Sequence, residues 1–151
     1  MKSNLLHAHV TTQFTGVSPE RIYDVYMSPA EHAAATGQPA AIEPSEGGSF
    51  SAYDGYLTGR FLRLVPGSLI VQFWRSRHFE PADPDAILSI AFRTNELGQA
   101  ETELLLILVP DQVNRHDNSS WNYFYWEPIR EYLRGHAEPA DFATPLAQPR
   151  R

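Results

Sequence analysis

Cysteine is missing from this chain of 151 residues. That removes disulfides, thiolate metal sites and cysteine nucleophiles together. Basic residues are sparse: 12 Lys and Arg stand against 18 Asp and Glu, a net charge of −6, and the cations are scattered. Phosphate binding needs grouped cations, so nucleic acid is argued against as the main partner. No apolar run approaches the ~18 residues of a membrane-spanning helix. The start, Met1-Lys2-Ser3-Asn4-Leu5-Leu6-His7, has no apolar core of signal-peptide length. The expectation is a cytoplasmic protein without a membrane span. There is also no G-x-S-x-G, no H-E-x-x-H and no P-loop, so no hydrolase, zinc-protease or nucleotide signature is present and no cofactor is expected.

What remains is 42% hydrophobic and 20% charged, ordinary for one soluble globular domain. A chain of this length buries roughly 70% of its unfolded surface. Residues 1–136 read as that domain. Residues 137–151, rich in Pro and Ala, read as an irregular tail that Phe142 and Leu146 could pin to the surface.

Alternation predicts a first strand over 7–14, with Ala8, Val10, Thr12 and Phe14 on one side. Ser18-Pro19 and Ser28-Pro29 each supply a capping side chain and a proline pre-set for the first helical turn. Two short helices in tandem are predicted, the first burying Ile22, Val25 and Tyr26, the second ending at Thr36-Gly37. Further on, Gly47-Gly48, Asp54-Gly55, Pro66-Gly67 and Gly98 punctuate runs rich in β-branched and aromatic residues. Strands are predicted at 40–43, 49–53, 56–64, 69–75, 87–94 and 100–109, with a longer loop over 77–85 and short links elsewhere that favour antiparallel pairing. Leu104 to Val109 is apolar on both sides, as a central or doubly covered strand would be.

A polar loop over 111–118 then leads to a helix opening at Ser119-Ser120 and closing near Gly135. At 3.6 residues per turn, Trp121, Phe124, Tyr125, Pro128, Ile129 and Tyr132 form one wide apolar face. Pro128 removes a backbone donor and should bend that helix. A face of such bulk must lie across a large apolar partner. The strands before it supply one. The predicted class is α+β, a curved antiparallel sheet of six to seven strands wrapped around a long C-terminal helix.

This order of motifs resembles a known superfamily. Ser18-Pro19-Glu20-Arg21-Ile22-Tyr23, Ser28-Pro29-Ala30-Glu31-His32, Glu46-Gly47-Gly48-Ser49-Phe50, Asp54-Gly55-Tyr56, Gly59-Arg60, Val65-Pro66-Gly67, Ile70 to Arg75 and Trp121 to Trp126 follow the pattern of the helix-grip or SRPBCC/START superfamily. Within it the chain resembles the branch named after the C-terminal domain of the activator of heat shock protein 90 ATPase. The resemblance implies the helix-grip fold and a pocket. It carries no catalytic motif that could be transferred residue by residue. It adds chaperone contact and a stress-response setting as expectations, and leaves a homodimer open.

The aromatic set suggests a hydrophobic cavity for a small apolar or amphipathic organic ligand. Tyr23, Phe50, Trp74, Phe92, Trp121 and Tyr125 are expected to line it, with Arg75 as a polar anchor. The bland alternative for the rings is a filled core. For Arg75 and Arg77 it is a solvated edge with an ion pair to Asp or Glu. His7 and His9 share a strand side at i, i+2, a spacing able to chelate zinc, but no third ligand is placed and no metal is expected. His32 is either a pH-sensitive donor at the pocket edge or, more ordinarily, a surface helix residue. Glu43 and Glu46 are conceivable as an acid/base pair, although a polar turn explains them. Three functions follow: a non-catalytic binder, a cofactor-independent cyclase or aromatase, and a module that docks on a chaperone.

Overall fold

A computed structural model describes residues 6–108 and 121–137. The side chains of His7 and Leu108, the strand end at Val109, the loop 111–118, the helix start at Ser119-Ser120 and the tail with Phe142 and Leu146 lie outside the described residues. Element order is β1 (Leu6–Phe14), α1 (Pro19–Met27), α2 (Pro29–Thr36), β2 (Ala41–Ile42), β3 (Ser49–Ala52), β4 (Leu57–Val65), β5 (Leu69–Ser76), β6 (Ala86–Thr94), β7 (Ala100–Leu108), a π-helical turn (Asn122–Trp126) and α3 (Glu127–Gly135).

Ser28 separates the two short helices. Its backbone N–H donates to Asp24 O and closes α1, while its hydroxyl accepts from Glu31 N at 3.2 Å and opens α2. Ser18 caps α1 in the same way through Arg21 N at 3.1 Å, and left-handed Gly37 ends α2. The seven strands form one antiparallel sheet in the order β1-β7-β6-β5-β4-β3-β2. The crossover that places β1 beside β7 leaves the short β2 at the far edge. An irregularity between Phe61 and Arg63 bends β4, as an extra residue in one strand does.

One face of the sheet is the core side. Val10, Phe14, Leu104, Leu106, Leu88, Ile90, Phe92, Ile70, Trp74 and Phe61 are buried there. Alternate residues Val71, Phe73, Ile87, Leu105 and Ile107 on the other face are half-buried. β7, apolar on both sides, is an interior strand of the sheet as its sequence predicts. α1 packs on β6 and β7, and α2 on α3.

The long helix departs from its expected face. Trp121, Tyr125, Trp126, Ile129 and Leu133 are the buried residues, while Phe124 is 47% exposed and Tyr132 and Pro128 are half-buried. The reason is the winding. The turn Asn122–Trp126 closes i→i−5, with Glu127 N donating to Asn122 O. A π turn advances fewer degrees per residue than an α turn, which carries Trp126 onto the inner stripe and Phe124 off it.

Candidate functional site

Sheet register assembles the interior from distant segments. Phe50 pairs with Gly59, and Gly59 with Trp74, so the two rings flank a position that has no side chain. A Cβ at Gly59 would lie 2.0 Å from Phe73 O, an overlap no real side chain tolerates. The glycine therefore permits the close approach of β4 to β5 at this rung.

The rings then meet each other. Tyr26 stacks on Phe50 at 5.7 Å and sits 5.8 Å from Tyr125. Tyr125 lies 4.8 Å from Trp121, which lies 6.1 Å from Trp74. Phe50, Trp74, Trp121 and Tyr125 thus belong to one contact chain, at 2 to 4% exposure. Tyr23 and Phe92 form a contact of their own at 5.5 Å. Arg75 is on the opposite side of β5 from Trp74. Its guanidinium donates to Asp85 Oδ1 at 2.8 Å and to the carbonyls of Asp83 and Glu80, and lies over the Phe79 ring. The expected anchor is in place of that a staple for the 77–85 loop, because a charged side chain at this strand position meets the loop's own acceptors first.

The polar part of this interior escaped sequence reasoning. His32, expected on the surface, is 2% exposed. Its Nδ1 lies 2.9 Å from Tyr26 O and its Nε2 lies 2.9 Å from the Tyr125 hydroxyl. A carbonyl only accepts, so Nδ1 carries the proton and Nε2 accepts from Tyr125. The Tyr26 hydroxyl makes a separate bond, donating to Gln72 Oε1 at 2.8 Å. Burial lowers the His32 pKa below its usual 6.5 and raises those of Tyr26 and Tyr125, so all three stay neutral. These bonds tie α2 to the π turn and to α1, and α1 to β5. The only sequence signal for them was the position of His32, three residues after the helix-opening proline. Gln72 Nε2, Thr102 Oγ1 and Trp126 Nε1, also buried, find no hydrogen-bond partner among the described residues.

A second network closes the other end. Arg21, 3% exposed, donates to both carboxylate oxygens of Glu31 at 3.0 and 2.5 Å and, through Nε, to His136 O at 3.0 Å. The Tyr132 hydroxyl donates to Glu31 Oε1 at 2.7 Å. Arg21 thereby holds the Glu31 carboxyl below the usual range.

Open hollows lie outside the ring cluster. One of about 580 Å³ runs along the start of α1, past Arg21 and Asp24 to Thr94. Another, of about 460 Å³, is lined by Tyr23, Asp24, Met27 and Glu31. A third, of about 340 Å³, holds Tyr56, Thr58, Arg75 and Arg77. Tyr23 and Arg75 therefore border surface hollows, away from the Phe50–Trp121 chain. Among the other sequence candidates, Glu43 accepts from Ser49 N and Oγ, and Glu46 from Arg63 and Leu64 N; both are exposed turn residues. His9 pairs with Glu103 at 2.7 Å. Among the described residues no three His, Asp or Glu side chains group as metal ligands, and no helix is long and apolar enough to cross a membrane.

Residues 16–134 match the profile of a family described as Activator of Hsp90 ATPase homolog 1-like protein. Activator of 90 kDa heat shock protein ATPase homolog 1 from Mus musculus is 32% identical over 114 residues, which are 76% of this chain and 33% of that relative. The Homo sapiens protein of the same name is 31% identical over the same lengths. The chain spans about a third of the length of these relatives. Among solved structures, an HSP90 activator from Plasmodium falciparum superposes with a TM-score of 0.73 at 17% identity, covering 85% of this chain and 96% of that one. CalU16 from Micromonospora echinospora gives 0.68 at 17% identity, covering 88% and 77%. At such identities the two structures speak for the fold alone.

Proposed function

Because this chain belongs to the Activator of Hsp90 ATPase homolog 1-like protein family, we propose that it is a protein-interaction module that binds a chaperone ATPase of the 90 kDa heat shock type. The observation that carries this is the 114-residue match to a relative named for activating that ATPase. The packing supports it. The rings expected to line a cavity touch one another at 4.8 to 6.1 Å, packing that favours recognition through the surface. A domain matching a third of its relatives is assigned binding first and stimulation second. The test mixes the purified chain with the 90 kDa chaperone of its own source, measuring binding by calorimetry and ATP turnover in parallel. Saturable binding with a raised turnover is expected. Absence of binding at high micromolar concentration removes this function.

A second function keeps the small apolar or amphipathic ligand, on Phe50, Trp74, Trp121 and Tyr125 with Tyr23 and Phe92. Its support is specific: Gln72 Nε2, Thr102 Oγ1 and Trp126 Nε1 are buried polar atoms without partners among the described residues, and a bound molecule with polar atoms of its own would satisfy them, as ordered water would. A panel of hydrophobic ligands should then raise the melting temperature, and Trp121→Ala should abolish the rise. A flat response across the panel removes it.

A further inference from the structure

The β4–β5 pairing fixes an arginine at the open end of its hairpin. Leu57 pairs with Ser76 and Thr58 with Arg75. One residue beyond the strand, Arg77 N donates to Tyr56 O at 2.9 Å and adds a further rung. The Arg77 guanidinium then lies over the Tyr56 ring, 5.6 Å from its centroid. Unlike Arg75, whose fork is committed to the 77–85 loop, Arg77 has no carboxylate or carbonyl partner among the described residues. A guanidinium seated on an aromatic face keeps its N–H edge available for a planar, two-point contact with an oxyanion.

Two hydroxyl-bearing residues lie beside it on the outer face of the hairpin. Tyr56 and Thr58 line the same hollow of about 340 Å³, with Phe79 and Arg75, and no lining residue is a carboxylate. Ser76, paired with Leu57 on the core face, is buried and its Oγ accepts from His78 N at 3.1 Å, so its hydroxyl is not part of the site. Of the acids in the adjoining loop, Asp85 is engaged on Arg75 and Asp83 on Glu80 N at 2.8 Å, and Asp54 is not among the residues that line the hollow. The rim is a costly piece of backbone. Tyr53, Asp54 and Gly55 are successively left-handed, at φ 51, 55 and 87, and a Cβ on Gly55 would lie 3.6 Å from the Arg77 guanidinium. Strained backbone of this kind concentrates at ligand clamps.

We propose that this hollow binds an oxyanion, a carboxylate or phosphate group, with Arg77 as the principal donor and the hydroxyls of Thr58 and Tyr56 in support. The site does not depend on the chaperone assignment. It is tested by titrating the ¹⁵N-labelled chain with inorganic phosphate in one arm and acetate in the other, at constant ionic strength held with chloride. Saturable shifts are expected at the Arg77 side chain and at the Thr58 and Tyr56 amides. The arm that saturates at lower concentration identifies which oxyanion is preferred. Arg77→Gln should weaken binding roughly tenfold or more, whereas Arg134→Gln, the same charge change on an exposed helix position, should leave it unchanged. Shifts that rise linearly in both arms, or an equal loss in the two variants, overturn the site.

Discussion

His32 sits where an imidazole can serve only as a neutral group, between a carbonyl that needs its proton and a hydroxyl that needs its lone pair. The consequence is a pH-dependent stability. The unfolded chain protonates this residue below about 6.5, and the folded chain only at lower pH, chiefly because burial penalises the cation. Between the two values the unfolded state holds more protons, so stability increases with pH there. The contribution is complete above pH ~6.5 and is lost as the pH falls toward the folded-state pKa. Urea unfolding from about pH 7.5 to about pH 5 should show this decline, and His32→Gln should flatten it. Equal slopes would assign the decline to other groups. At neutral pH, Tyr125→Phe leaves Nε2 without its donor and should remove about 1–2 kcal/mol.

At the level of the element, Pro128 explains the role of Tyr53. Proline has no N–H for the carbonyl four residues back, which is Phe124 O. That carbonyl receives the Tyr53 hydroxyl, while the Tyr53 ring meets those of Phe124 and Tyr125 at 5.8 and 5.7 Å. The left-handed backbone of Tyr53 thus supports a hydrogen bond that the helix cannot make for itself. Burial also raises the Tyr53 pKa to about 12, keeping the donor protonated. Tyr53→Phe should destabilise by about 1 kcal/mol. In a Pro128→Ala background the new N–H can take the Phe124 carbonyl, so the same change should cost much less. A double-mutant cycle by chemical denaturation reads the coupling, and strict additivity would separate the two residues.

For the molecule as a whole, the C-terminal helix is held at both ends by the helix pair that follows β1. The His32–Tyr125 bond holds its first turn and the Arg21–Glu31–Tyr132 network its last. Removing one member of the buried pair strands the other. Arg21→Ala should cost about 3–5 kcal/mol, and Arg21→Met with Glu31→Leu considerably less, since the second change removes the orphaned charge. Calorimetric melting decides it: a double variant as unstable as the single one would show that the loss lies in packing. Because Arg21 lowers the Glu31 pKa, the pair's contribution is present above pH ~4.5 and disappears as the pH falls through the folded-state value.

Residue types and their spacing along the chain determined the α+β class, the strand runs, the tandem helices and the burial of Phe50, Trp74, Phe92, Trp121 and Tyr125. Ser-Pro caps, left-handed glycines and a period of two act over a few residues, so they can be read without knowing what lies across the core. The partners of His32, the engagement of Arg75 by its loop and the exit of Phe124 into water depend on contacts between distant segments, and so they were decided by the tertiary structure. His32 meets a hydroxyl 93 residues away, and the π turn reassigns a helical face by shifting angle rather than composition. Local sequence carries no term for either. A buried imidazole and a surface one have the same neighbours in the chain, and only the folded sheet and its helix tell them apart.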